Sequence, residues 1–336
     1  MLAKHGGMRY NTFSVNTMKK RILSALLGLA LTLSLAACGA GQETAAAEEQ
    51  LKTAPVVVTT LFPAYDFARE LCGGYCEVVL LVPPGAELHS YEPTPQDIVT
   101  IESCDLLICN GGESEAWLET VLDGTEGDFS VLSMLDCVDA LEEEHKEGMQ
   151  DLHEEEDEDE TEYDEHVWTS PRNAAAICRA ITEELCALDP NGAELYRKNC
   201  ARYCAELDEL DAAFRAVVAR ARGDCLIFAD RFPARYFVEE YGLDYFAAFP
   251  GCADDAEPSA RTVAFLIDRV RAEAVPAVLY IEYSDQRMAD VVCEDTGCEK
   301  LLFHTCHTVS AADLAAGASY LGLMRANIET VKEALG

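Results

Sequence analysis

Seven histidines occur in this chain of 336 residues. Six of them fall in stretches with no helical or strand periodicity: His89, His145, His153, His166, His304 and His307. His89 stands in Gly85-Ala-Glu-Leu-His-Ser-Tyr-Glu-Pro-Thr-Pro95, a few residues after the apolar run from Glu77 to Val82. His166 leaves an acidic stretch in Asp164-Glu-His-Val-Trp168. His304 and His307, spaced as His-x-x-His, directly follow the apolar run from Lys300 to Phe303. The chemistry open to such a set is divalent-cation binding. Neutral imidazole is a ligand for borderline ions, and a site forms where imidazoles and carboxylates converge from separate elements. Taken singly, each histidine has a plainer reading. A loop histidine is usually exposed and idle, and the rings of a His-x-x-His can point apart. Histidines inside a charge run, as His145 and His153 are, usually belong to a solvated acidic face.

Imidazoles so far apart in sequence meet only if the fold brings strand ends together. The periodicity predicts that it does. Val56 to Thr60, Glu77 to Val82 and Asp105 to Cys109 read as buried parallel strands, with helices over Ala64 to Cys72, Pro95 to Ser103 and Glu115 to Leu122. A second series follows, with strands at Cys225 to Ala229, Leu243 to Ala247, Ala277 to Ile281 and Lys300 to Phe303, and helices between and after them. Between the two series, Pro171 to Leu188 reads as a helix, and Asp189-Pro190 as the cap of a long amphipathic helix running to about Arg222. At 1.5 Å per residue that helix spans about 50 Å. The expected fold class is α/β. Two lobes, each a parallel sheet flanked by helices, are joined by one long interdomain helix, with the ligand site in the cleft at the strand carboxyl ends.

The expected domains are a signal segment 1–38, a flexible tether 39–54, an N-terminal lobe 55–188, a linking helix 189–223 and a C-terminal lobe 224–336. Inside the N-terminal lobe, 139–165 is expected to be a disordered acidic loop. From Glu142 to Glu165 it has 15 acidic residues and one Lys. The signal reading rests on Lys19-Lys20-Arg21, the apolar stretch from Ile22 to Leu35, and Leu35-Ala-Ala-Cys38-Gly39. The cysteine at the cleavage point resembles a bacterial lipobox, which makes Cys38 the lipidated first residue of the mature protein. Met1 and Met18 are the alternative starts.

Lys and Arg total 25 against 61 Asp and Glu, a formal charge of -36. That field repels nucleic acid and anionic lipid and attracts cations, so nucleic-acid binding is excluded. Fourteen cysteines follow Cys38. In an exported chain these suggest disulfides. Cys72/Cys76 and Cys293/Cys298 are the closest loop-like pairs, and Cys200/Cys204 sit one helical turn apart. Buried thiols are the alternative.

Three stretches carry a resemblance. The words Gly85-Ala-Glu-Leu-His-Ser-Tyr-Glu-Pro-Thr-Pro-Gln-Asp-Ile98, Asp164-Glu-His-Val-Trp-Thr-Ser-Pro-Arg-Asn-Ala174 and the closing stretch from Gly317 to Leu335 resemble the zinc/manganese substrate-binding lipoproteins of ABC transporters, the metal-binding cluster A-I family. The likeness covers about Pro55 to Gly336. It implies a bilobed protein that captures an ion outside the membrane and delivers it to a permease with its ATPase partner, as a lipid-anchored monomer with no chemistry of its own. It places His89 on the family's first ligand and His166 on the second. The third comes from a His-Asp-Ala-Phe word, which here reads Ala229-Asp-Arg-Phe232, so a non-ligating Ala229 stands at the histidine position. The fourth ligand is a carboxylate, and Glu282 matches one such position, with His304 and His307 near the other.

The expected site is therefore rearranged: His89, His166, then His307 or His304, with Glu282 as fourth ligand. Asp230 is either a ligand or a partner that orients a histidine, with a structural role or an ion pair to Arg231 preferred. Glu87 can face the ion beside His89. His145 and His153 can collect ions in the acidic loop. An imidazole-rich set with a carboxylate fits Zn2+, and Mn2+ or iron is the rival cargo.

Other function classes have less support. No G-x-x-x-x-G-K-[ST] occurs, so the chain is not the ATPase subunit, and no apolar span follows the signal, so it is not the permease. A zinc hydrolase is disfavoured because His-Glu-x-x-His is absent. Gly112-Glu-Ser-Glu-Ala116 resembles a nucleophile elbow only loosely. An adhesin lipoprotein is the remaining alternative.

Overall fold

A computed structural model describes residues 54–86, 91–125, 127–150, 162–251 and 257–336. Residues 55–336 form one compact unit. Its first half runs β1 (Val56–Thr59), α1 (Phe62–Cys72), β2 (Glu77–Leu80), α2 (Pro95–Glu102), β3 (Leu106–Cys109), α3 (Trp117–Gly124) and β4 (Ser130–Ser133). Two helices follow, α4 (Pro171–Leu188) and α5 (Ala193–Val218). The second half runs β5 (Cys225–Phe232), α6 (Arg235–Tyr241), β6 (Asp244–Pro250), α7 (Ala260–Glu273), β7 (Ala277–Ile281), α8 (Arg287–Thr296), β8 (Glu299–Phe303), α9 (Ala311–Ala315) and α10 (Tyr320–Leu335).

Each half holds one four-stranded parallel sheet, ordered β2-β1-β3-β4 and β6-β5-β7-β8. The α/β class with two helix-flanked parallel sheets is thus the observed fold. The strands are apolar on both faces because helices cover both. On β1, Val57 joins one apolar cluster and its neighbour Val58 another. On β5, Leu226 and Phe228 face one cluster while Ile227 and Ala229 face the other. Period-two side chains make this division automatic.

One cluster is continuous across the molecule. It contains Val57, Phe67 and Leu106 from the first half, Tyr203, Leu207, Leu210 and Phe214 from α5, and Phe228, Phe303 and Tyr320 from the second. The last helix returns to the first half. Tyr320 N donates to Asp66 Oδ2 at 2.9 Å, and the Tyr320 hydroxyl donates to the Trp168 carbonyl at 2.6 Å.

Three details differ from the sequence-based expectation. The first concerns the start of α5. Asp189 does not begin the long helix; it closes α4, and its carboxylate accepts from Asn191 N, Gly192 N and the Tyr196 hydroxyl. These bonds hold a tight turn, so α5 starts at Ala193 and its 26 residues span about 39 Å. The second is β4, which was not foreseen. Its sequence Ser-Val-Leu-Ser offers two apolar residues at a sheet edge, too few to show a period.

The third is the acidic segment, whose described flanks are docked. Glu142 and Tyr163 form an antiparallel bridge, and Asp164 N donates to the Leu141 carbonyl at 2.9 Å. Gln150 N donates to the Ala248 carbonyl at 2.8 Å, Leu141 N to the Tyr236 hydroxyl at 3.1 Å, and Lys146 pairs with Asp244. High charge did not prevent order here, because backbone pairing and one Lys tie the flanks to α6 and β6. Residues 151–161, with His153, lie outside the described residues, as do residues 1–53, on which the expected signal segment with Cys38 and nearly all of the expected tether fall.

Candidate metal centre

His166 begins a single 3-10 turn, Val167–Thr169, where the chain leaves the acidic segment and enters α4. It is 2% exposed. Asp164, equally buried, holds it twice: Oδ1 accepts the His166 backbone N–H at 2.9 Å and lies 3.2 Å from Nδ1. Asp164 is itself held, since the Tyr236 hydroxyl donates to its carbonyl at 2.8 Å. Burial by itself drives an imidazole pKa down, but the Asp164 carboxylate, with Glu165 and Glu143, more than reverses it, and the His166 pKa is raised. A carboxylate on Nδ1 favours the proton there and leaves Nε2 as the donor for an ion.

His307 comes from the other half. Its ring lies 5.9 Å from that of His166, at 83°, and 5.6 Å from the indole of Trp168. Thr305 fixes its backbone: the hydroxyl oxygen accepts His307 N–H at 3.0 Å. Trp168 Nε1 donates across the halves to the Thr305 carbonyl at 2.8 Å. Between them Cys306 turns the chain with φ at 61°, a left-handed value that a non-glycine residue takes up only when its surroundings impose it.

The two rings of the His-x-x-His point to different places. His304 is pinned through its backbone by the buried Asn327, which accepts its N–H and donates to its carbonyl, each at 2.8 Å. With Glu282, Tyr283, Gln286 and Thr308 it lines a separate cavity of 620 Å³. Glu282 has both oxygens engaged by one residue, Thr305 N at 2.8 Å and the Thr305 hydroxyl at 2.5 Å. Burial pushes its pKa up. It therefore braces the loop that presents His307.

Asp230 also braces. It accepts Arg231 N at 2.9 Å and Ile281 N at 3.3 Å, tying the end of β5 to the end of β7. Ala229 is 2% exposed within the cluster of Ile227, Ala248 and Leu266. Ala229 and Asp230 fall at a bulge, where Phe228 pairs with Ala247 and Arg231 with Phe249.

Glu87 and His89 lie outside the described residues; the chain on either side of them is held at two different places. Gly85 N donates to the Thr308 hydroxyl at 2.9 Å, one residue beyond His307. The Tyr91 hydroxyl donates to Asp97 at 2.8 Å, and its ring packs on Trp117. His145 is exposed and its Nε2 lies 3.9 Å from Glu143 Oε2. Among the described residues no three His, Cys, Asp or Glu side chains converge as a metal-binding group.

Sequence reasoning missed Asp164, Thr305, Trp168 and Gly251 as parts of this site. Asp164 carried a usable signal, a carboxylate two residues before a histidine. Gly251 carried none. It directly follows β6, where a Cβ would lie 2.7 Å from the Phe232 carbonyl and 3.2 Å from the His166 ring, so only glycine fits without displacement.

The family model described as zinc-uptake complex component A, periplasmic, matches residues 57–334. The high-affinity zinc uptake system protein ZnuA of Bacillus subtilis is 29% identical over 307 residues, covering 90% of this chain and 94% of that protein. The zinc-binding lipoprotein AdcA of Streptococcus pneumoniae is 29% identical over 326 residues, and the match covers 94% of this chain but 61% of that longer protein. The Zn(II)-bound ZnuA-like domain of the same pneumococcal protein superimposes with a TM-score of 0.69 at 26% identity, over 84% of this chain and 98% of that one.

Proposed function

We infer the function from one premise: the chain belongs to the family of periplasmic zinc-uptake complex component A proteins. It captures zinc outside the cytoplasmic membrane and delivers it to an ABC permease and its ATPase partner. It acts as a binding protein, without catalysing a reaction. The observation that carries this reading is the facing pair, His166 from one half and His307 from the other, with rings 5.9 Å apart, and Gly85, four residues before His89, bonded to Thr308 next to His307 in sequence. His89, His166 and His307 are the proposed imidazole ligands. Imidazole donors favour zinc over manganese, which prefers oxygen. Glu282 is assigned to bracing the His307 loop, and His304 to the neighbouring cavity. The chain works as a monomer held to the membrane through a lipid on Cys38. Among the described residues no helix is long and apolar enough to cross a membrane.

Calorimetric titration with zinc and with manganese tests this on the chain from Gly39 onward. Wild type is expected to bind one zinc tightly and manganese weakly. His307→Ala is expected to weaken zinc by about 100-fold or more, on the scale of losing one inner ligand, while His304→Ala changes it little. Equal losses in both variants, or tight manganese with weak zinc, would overturn the reading.

A further inference from the structure

Three pairs of cysteines approach one another within short segments, and the fold sorts them. Cys200 and Cys204 have sulfurs 3.8 Å apart, but both lie inside α5. Residues four apart on a helix hold their Cβ atoms about 5–6 Å apart, while a disulfide needs about 3.5–4.5 Å. The helix must break before that pair can join. Cys72 and Cys76 straddle the end of α1 but are sealed in the core, Cys72 at 0% exposure.

The third pair differs on both counts. Cys293 lies in the last turn of α8 and Cys298 lies beyond it, at the entry to β8. Gly297 closes the helix with φ at 77°, and its N–H donates to the Cys293 carbonyl at 2.8 Å. That left-handed turn folds the chain back, so the two sulfurs stand 3.6 Å apart without belonging to one helix. Both residues are partly exposed. The Thr296 hydroxyl oxygen lies 3.2 Å from the Cys298 sulfur, and Cys298 N donates to that same oxygen at 3.4 Å, which fixes the Cys298 thiol.

We propose that Cys293 and Cys298 form a redox-active dithiol at the surface of the second half, closed to a disulfide by exchange with a low-molecular-weight disulfide. The Cys298 thiolate attacks one sulfur of the oxidant and releases one thiol, leaving a mixed disulfide. The Cys293 thiolate then attacks the Cys298 sulfur and releases the second. Two protons leave the cysteines, one S–S bond forms and one breaks, and the two electrons reside in the two thiols released. The proposal stands apart from the zinc reading, since neither cysteine touches the histidine pair.

The test uses the full chain incubated with oxidised glutathione, quenched in acid, blocked with N-ethylmaleimide and digested with trypsin. The peptide Met288–Lys300 carries both residues. The expected product is that peptide unblocked and lighter than the dithiol by two hydrogens, converting to the doubly blocked form after reduction. The same treatment in denaturant is expected to give mainly glutathione adducts or doubly blocked peptide. Cys293→Ser is expected to stop at a single adduct on Cys298. Double blocking of the folded chain, stable separate adducts on both residues, or ring closure as complete in denaturant as in the native state would each overturn the proposal.

Discussion

His166 and His307 are held by different means, and each is expected to fail differently. His166 depends on a carboxylate at its own Nδ1, whereas His307 depends on the backbone geometry set by Thr305 and Glu282. Asp164→Asn keeps the shape but removes the charge that favours the Nδ1 proton. Zinc affinity is expected to fall by about 10- to 100-fold, the usual cost of losing an outer partner of a ligating histidine. Calorimetry of the variant checks this, with a thermal melt alongside to confirm that the fold is retained. An unchanged affinity would mean that Asp164 serves the turn and not the ring.

At the scale of elements, the loop between β3 and α3 contains a second buried carboxylate. Glu115 is 2% exposed and its Oε2 accepts Gly111 N at 2.8 Å. Burial is the largest influence on its pKa and raises it from 4.5 to about 7. A raised folded-state value means stability that is full below pH 4.5 and is lost as pH rises towards about 7, because the unfolded chain ionises first. The loss across that window is on the order of 3 kcal/mol. Glu115→Gln is neutral throughout. Its stability is expected to exceed that of wild type above pH 7 and to vary less between pH 4.5 and 7. Urea unfolding at several pH values measures this, and parallel curves for the two proteins would refute the assignment.

For the whole molecule, the continuous apolar core through α5 argues against wide hinge motion. Halves joined by an interface of this kind move little, since packed interiors resist gradual deformation. Zinc removal is therefore expected to leave the radius of gyration in solution scattering unchanged, while local order around the His307 loop falls. Stability, by contrast, responds through mass action. At a free zinc concentration 100 times Kd, the folded state gains about 2.7 kcal/mol. The melting temperature is then expected to rise on the order of 5 °C over the metal-free protein. A large compaction with zinc would show that the core divides into two moving bodies.

The α/β alternation, the two series of strands and the placing of His304 and His307 after a strand were legible in the order of residues. Local hydrophobic period and turn chemistry are properties of short segments. The resemblance in the words around His89 and His166 was legible for the same reason. What the order of residues left open was which ring of His304-Thr-Cys-His307 meets His166, and what Glu282 does. Both depend on long-range contacts: Trp168 reaching the Thr305 carbonyl, Asn327 holding His304, and Thr305 occupying both Glu282 oxygens. The docking of the acidic flanks was hidden too, because composition reports charge and not the partners β6 and α6 supply. Sequence by itself determined the fold class and the chemistry of the donors. Only the tertiary structure decided which side chains meet, because the directions of side chains on separate elements are set by packing between residues 23 to 137 positions apart in these contacts.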